Sequence, residues 1–245
     1  MSSDQVTHIL NYLSNTKSLP VSRTWISNFI SSQRSTSVPL PALTQTALFR
    51  LLASDFTISL APTITHLLPP RISDPGVKEI KISGPVPLQV LDIEDIGNSL
   101  WSQIEAIEQV ERGETTRGKE IIRTVTRDEG GDVTVGTNDA NSSSVSQQEA
   151  GNATSSAGPH RLILEDASGE KVTSFELKPI AGIAIGKLHI GAKLLVKNAT
   201  VARGMLLLEP QCVTVLGGKV EVADAAWKAE RKDKMLARVQ QLQPQ

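Results

Sequence analysis

The sequence predicts an α+β fold: a three-helix bundle, then a small β-barrel that carries a long insertion and ends in a helix. Three observations predict it. Apolar residues recur at helical spacing over the first seventy positions, the period then drops to two, and Gly and Pro punctuate the short strands that follow. In the bundle, assigned to 1–70, Val6, Ile9, Leu10 and Leu13 fall at i, i+3, i+4 and i+7, with Asp4 a candidate N-cap. Residues 15–20 break that helix, and Trp25, Ile26, Phe29 and Ile30 form a second stripe behind Ser22. Leu43, Ala47, Leu48, Leu51 and Leu52 form the third, after Pro39 and Pro41. Pro69, Pro70 and the Asp74-Pro75-Gly76 turn close this part.

From Ile80 the pattern alternates. "VPLQVLDIEDIG" does so imperfectly, as a strand that bends would. "NSLWSQIEAIEQVERG" returns to helical spacing, with Leu100, Ile104 and Ile107 on one side and Asn98 as cap. Strand signals resume at "HRLILED", "KVTSFEL", "KLLVKNATV", "GMLLLEP" and "QCVTVLGG", separated by Ser168-Gly169, Pro179, Gly186, Gly191, Gly204, Pro210 and Gly217-Gly218. Five or six short strands suit an OB-fold, whose closure removes exposed edges. The barrel is assigned to 71–221, with Phe175 and the single cysteine, Cys212, in its core. The insertion occupies 98–159. Its stretch 128–158, almost wholly Gly, Ser, Asn, Thr, Ala and acids, has too little apolar surface to offset its ordering entropy and is expected to be disordered. The tail 222–242 reads as a helix that packs through Trp227, Met235 and Leu236.

Composition and motifs exclude several functions. No apolar run reaches the roughly eighteen residues of a membrane span, and the N-terminus has no signal-peptide pattern, so no membrane partner is expected. One cysteine precludes an intrachain disulfide framework and fits a reducing compartment. "GETTRGKE" approaches the phosphate-binding G-x-x-x-x-G-K-[ST] loop, but Glu120 stands where a hydroxyl must hold Mg²⁺, and no strand precedes it. His8, His66, His160 and His189 have no metal-ligand spacing, and the acids Asp92, Glu94, Asp95, Glu165 and Asp166 read as solvated strand ends. No catalytic residue, cofactor or metal is expected.

A net charge of −1 argues against a general nucleic-acid coat. Single strands bind OB-folds largely by stacking on aromatics, yet Phe175 is the only aromatic between 158 and 226. A protein-binding barrel is therefore the better reading, with a single-stranded DNA- or RNA-binding barrel the alternative. Charge is concentrated in one island. Arg112, Arg117, Lys119, Arg123 and Arg127 face only Glu114 and Glu120 in sequence, between two acidic stretches at 81–111 and 128–157. Ile121, Ile122 and Val125 supply apolar anchors within it.

"GAKLLVKNATVARGMLLLEPQCVTVLGGKVE", together with "LQVLDIEDIG" and "HRLILEDASGEKVTSFELKPI", resembles the N-terminal region of the RecQ-mediated genome instability protein 1 family. The resemblance implies a non-catalytic subunit in the nucleus that binds topoisomerase III, acts with a RecQ-family helicase, and promotes decatenation and dissolution of double Holliday junctions in DNA repair, recombination and replication. DNA junctions would be met mainly through the complex, with weak direct DNA binding. The chain ends soon after Leu242, so it resembles the short, fungal-type form without a second OB-fold. In the family an insertion between the first two barrel strands reaches the gate of the topoisomerase. The corresponding candidates here are Arg112, Arg117, Lys119, Ile121, Ile122, Arg123, Val125 and Arg127, with residues 128–158 as slack. Lys193, Arg203 and Glu209, placed at strand edges or turns, are further candidate contacts.

Overall fold

The computed structural model describes residues 3–33, 38–112, 116–117, 120–121 and 158–242. Three helices, α1 (Ser3–Lys17), α2 (Arg23–Ser31) and α3 (Leu40–Leu52), form the expected bundle. Their inward stripes, Ile9 and Leu13, Ile26, Phe29 and Ile30, and Leu43, Ala47 and Leu51, bury one another. Asp4 lies inside the first turn of α1 rather than capping it, where its charge favours the helix N-terminus. Ser22 precedes α2 in extended conformation but makes no side-chain cap bond. A short fourth helix, α4 (Phe56–Ser59), was not legible in the sequence; Asp55 caps it by accepting from the Thr57 N–H at 2.9 Å.

The barrel is one curled sheet. Its strands are β1 (Glu79–Ile82), β2 (Val86–Asp95), β5 (His160–Glu165), β6 (Lys171–Glu176), β7 (Lys193–Val196), β8 (Ala199–Ala202), β9 (Met205–Leu208) and β10 (Val213–Gly217), in the order β1-β8-β9-β6-β5-β2-β7-β10. Between β2 and β5 the backbones of β3 (Thr116–Arg117) and β4 (Glu120–Ile121) form a separate antiparallel pair. "KLLVKNATV", read as one strand, is two: Asn198, at φ 51°, breaks it between β7 and β8. These consecutive halves lie near opposite ends of the strand order, so the two-residue link between them requires the sheet to curl. Arg203 and Gly204 join β8 to β9 with φ of 51° and 81°, the all-positive pattern that matches strand twist in a two-residue hairpin. A side chain at Gly204 would meet the Ser73 carbonyl, a Cβ falling 2.7 Å from it.

β2 bends as expected. Its first half pairs with β7 and its second with β5, and a bulge lies between Val90 and Asp92. Leu88, Val90, Ile93, Leu162, Leu164, Val172, Leu194, Val201, Leu206 and Leu208 fill the interior, with Cys212 beside them. Phe175 does not join this core. The period of two sends Val172, Ser174 and Glu176 inward from β6 and leaves Phe175 half-buried on the other face.

Two further helices, α5 (Leu100–Glu111) and α6 (Glu221–Leu242), pack against each other through Ile104, Met235 and Val239. Trp227 anchors α6 to the barrel, and Leu236 is partly buried beside α5, as the sequence predicts. The cap of α5 is Ser99, whose Oγ accepts from the Ser102 N–H, and not Asn98, whose side chain donates to Asp95 at 2.7 Å. Of the stretch expected to be disordered, Gly158 is described and is packed; the rest lies outside the described residues.

Candidate protein-docking site

The insertion leaves and re-enters the barrel through a narrow neck. Gly97 and Gly158 touch so closely that a Cβ on Gly97 would lie 2.7 Å from the Gly158 Cα. The Ile96 N–H donates to the Pro159 carbonyl at 3.1 Å. Asp95, read as a solvated strand end, is buried and holds this turn by accepting from the Gly97 N–H at 2.8 Å and from both the backbone and side chain of Asn98. Gln103 on α5 donates to the carbonyls of Asp95 and Asn98, fixing the helix to the neck. On the return leg, His160 is enclosed and its Nδ1 lies 2.6 Å from the buried Glu176 carboxylate, which also accepts from the Ile180 N–H.

Helix α6 braces the root of the insertion. Trp227 Nε1 donates to Asp92 at 2.6 Å, and Lys232 reaches Glu111 at 2.7 Å and Glu108 at 3.4 Å near the end of α5. Glu94 accepts from Arg161 on β5 and from Arg238 on α6. Partial burial works to raise the Glu94 carboxyl, but the bonds from the two guanidinium groups hold it below the usual carboxylate range. The direction of α5, and hence the start of the insertion, is set by this set of contacts.

The candidate contacts that are described fall on several elements. Arg112 is exposed at the C-terminus of α5, its Nη1 3.8 Å from Glu108. The backbones of Arg117 and Ile121 lie in the β3–β4 pair. Lys119, Ile122, Arg123, Val125 and Arg127 fall outside the described residues. Arg203 is exposed in the β8–β9 turn, with Nη1 3.4 Å from the Pro75 carbonyl, while Glu209 pairs with Lys178 at 2.9 Å. These two flank opposite ends of β9, about 20 Å apart along an extended strand.

Lys193, expected as a contact at a strand edge or turn, is instead buried. It points away from the barrel core, but the helical bundle covers that face and leaves it 0% exposed, so it presents nothing to a partner. Its Nζ donates to Gln89 Oε1 at 2.5 Å, and the same oxygen accepts from the Phe56 N–H at 3.0 Å. Sequence reasoning also missed Asp166, which is fully buried and accepts from the N–H groups of Leu68, Ser168 and Glu170. "DIGN" and "DASG" are Asp-led turn patterns, and that was the available signal that these acids serve the backbone.

Among the described residues, no group of three or more His, Cys, Asp or Glu side chains could hold a metal ion, and no helix is long and apolar enough to cross a membrane. The structure is thus a helical bundle joined to an OB-fold barrel whose interior is filled by side chains and whose insertion is braced at its root. Two family models match the chain in that order: "RMI1, N-terminal helical domain" over residues 13–59 and "RMI1, N-terminal OB-fold domain" over residues 68–231. The chain belongs to the RMI1 family. It is also 35% identical over 152 residues to RecQ-mediated genome instability protein 1 of Schizosaccharomyces pombe. The match spans 62% of this chain and 63% of that relative.

Proposed function

We propose that this protein is a non-catalytic adaptor subunit in the nucleus, which binds topoisomerase III through its OB-fold and insertion. With a RecQ-family helicase it would promote decatenation and the dissolution of double Holliday junctions in repair, recombination and replication. The observation that carries the reading is membership of the RMI1 family across both the bundle and the barrel. The braced neck supports it, because a segment that reaches into another protein gains from a fixed root. In this reading, residues 112–127 dock near the DNA gate of the topoisomerase. The five bases guide and orient the encounter, and Ile121, Ile122 and Val125 anchor it. By preferring one gate conformation, the subunit shifts its population. DNA junctions are met mainly through the complex.

The test is a decatenation assay with topoisomerase III, comparing the intact chain with one lacking 112–127. Loss of stimulation, with calorimetric binding to topoisomerase III retained through the barrel, is the expected result. Unchanged stimulation would remove the insertion from the mechanism, and absence of any binding by the intact chain would remove the partner.

A further inference from the structure

At the neck, β2, α5 and α6 border an open groove of about 340 Å³. Ile93, Ile96, Leu100, Trp227, Met235 and Leu242 give it an apolar lining, and two of these are conspicuously uncovered: Ile96 is 39% exposed and Leu242 is 70% exposed. Single exposed apolar residues are ordinary on a protein surface, but here they border one concave site.

The charges around the groove are unequally committed. Asp92 accepts from Trp227 and from the Ile93 N–H, Glu94 is held by two arginines, and Asp95 serves the neck. The acids are thus engaged by internal donors. Arg231 differs. Its half-buried guanidinium lies over the Trp227 ring, 5.3 Å from the centroid, and donates to Gln103 Oε1 at 3.3 Å. Among the described residues, no carboxylate oxygen lies within ion-pair distance of it. Burial draws its pKa down, with only the more distant charges of Asp95 and Asp92 opposing, as for a cation whose desolvation lacks a paired anion. Its cation–π contact and the single bond to Gln103 leave further guanidinium N–H groups as donors suited to a carboxylate.

We propose that this groove docks a short acidic–apolar segment of a partner protein, with an apolar side chain seated between Ile96 and Leu242 and a neighbouring carboxylate paired to Arg231. Charge complementarity selects this occupant: the acids of the groove accept from internal donors, and among the described residues no carboxylate lies within ion-pair distance of its half-buried cation. None of the described residues lining the groove belongs to the 112–127 segment, so the proposal stands whether or not that segment docks on a topoisomerase.

The experiment pans a displayed library of random twelve-residue peptides against the full chain. Enriched peptides are expected to carry Asp or Glu within a few positions of Leu, Ile, Phe or Met. A fluorescein-labelled copy of an enriched peptide should bind Arg231→Gln and Ile96→Asp at least about tenfold more weakly, the loss expected when a desolvated charge pair is broken. Both side chains are at least partly exposed, so melting temperatures should remain close to that of the parent. The proposal is overturned by no enrichment, by enrichment of basic peptides, by equal binding by the variants, or by binding seen only after residues 113–157 are replaced by a Gly-Ser linker. That last result would mean that the chain fills its own groove. Concentration-dependent dimerisation abolished by Ile96→Asp would assign the groove to a second copy and overturn it as well.

Discussion

The ammonium of Lys193 lies 4.6 Å from the centroid of the Phe56 ring and 2.5 Å from Gln89 Oε1, so one buried cation on the barrel meets the first residue of α4. Gln89 is the hub of this joint. On adjacent strands Glu165 and Lys193 are its register partners, and its Nε2 lies 3.5 Å from Asp55 Oδ1. The bundle therefore meets the barrel through this polar row as well as through the apolar side chains of Ala167 and Leu216.

That joint should make stability depend on pH. Burial pushes Lys193 down from 10.5 to about 7, with the charge of Asp55 opposing. The folded state thus holds fewer protons than the unfolded state between those values, and stability rises with pH from about 7 towards 10.5, while the full cost of the buried charge remains below 7. Lys193→Met should remove this rise, which has a ceiling of about 1.4 kcal/mol per pH unit. Urea unfolding of both proteins at several pH values checks it: parallel pH profiles would show that Lys193 does not titrate in this range.

Glu94 should act in the opposite sense. Its folded pKa lies below the ordinary value, so its contribution is present above the unfolded pKa and is lost as pH falls through the folded one. Glu94→Gln should lower stability at neutral pH and flatten the acid limb of the unfolding profile. The same loss at pH 3 as at pH 7 would mean that the charge is immaterial.

Trp227→Phe keeps most of the ring against the barrel but removes the donor that Asp92 accepts from at 2.6 Å. A lost bond to a charged group costs about 1.5–3 kcal/mol. Chemical denaturation should show a fall of that order, and hydrogen exchange should show faster opening of α6.

Gly97→Ala should strain the neck, because the added methyl would sit 2.7 Å from the Gly158 Cα, where backbone must move. A loss of about 1–3 kcal/mol is expected. Decatenation should fall with it if the fixed root matters to the partner, whereas destabilisation with unchanged stimulation would separate the neck from function.

Salt distinguishes the proposed adaptor from the alternative single-strand binder. Neutralising phosphates releases counterions, so an affinity for single-stranded DNA would drop steeply between 50 and 200 mM salt. Binding to topoisomerase III anchored by apolar side chains should change far less over the same range, as fluorescence titrations with each partner would show.

The helices and strands of this protein are written in its local periodicity. Ile9 and Leu13 or Leu162 and Leu164 must face a core wherever they are, because spacing alone puts them on one side of an element. The family was legible too, in the ordered run of strands from Gly191 to Glu221. What the sequence by itself did not determine is which polar side chains would be covered. Lys193 looks like a surface base and Asp95 and Asp166 look like solvated acids, because nothing in their neighbours along the chain reports the bundle or the neck that encloses them. Only the tertiary structure decided this: burial is set by elements that meet from distant parts of the chain, as Phe56 meets Lys193 and Gly97 meets Gly158. A buried polar group then has to find its hydrogen-bond partner among those distant neighbours.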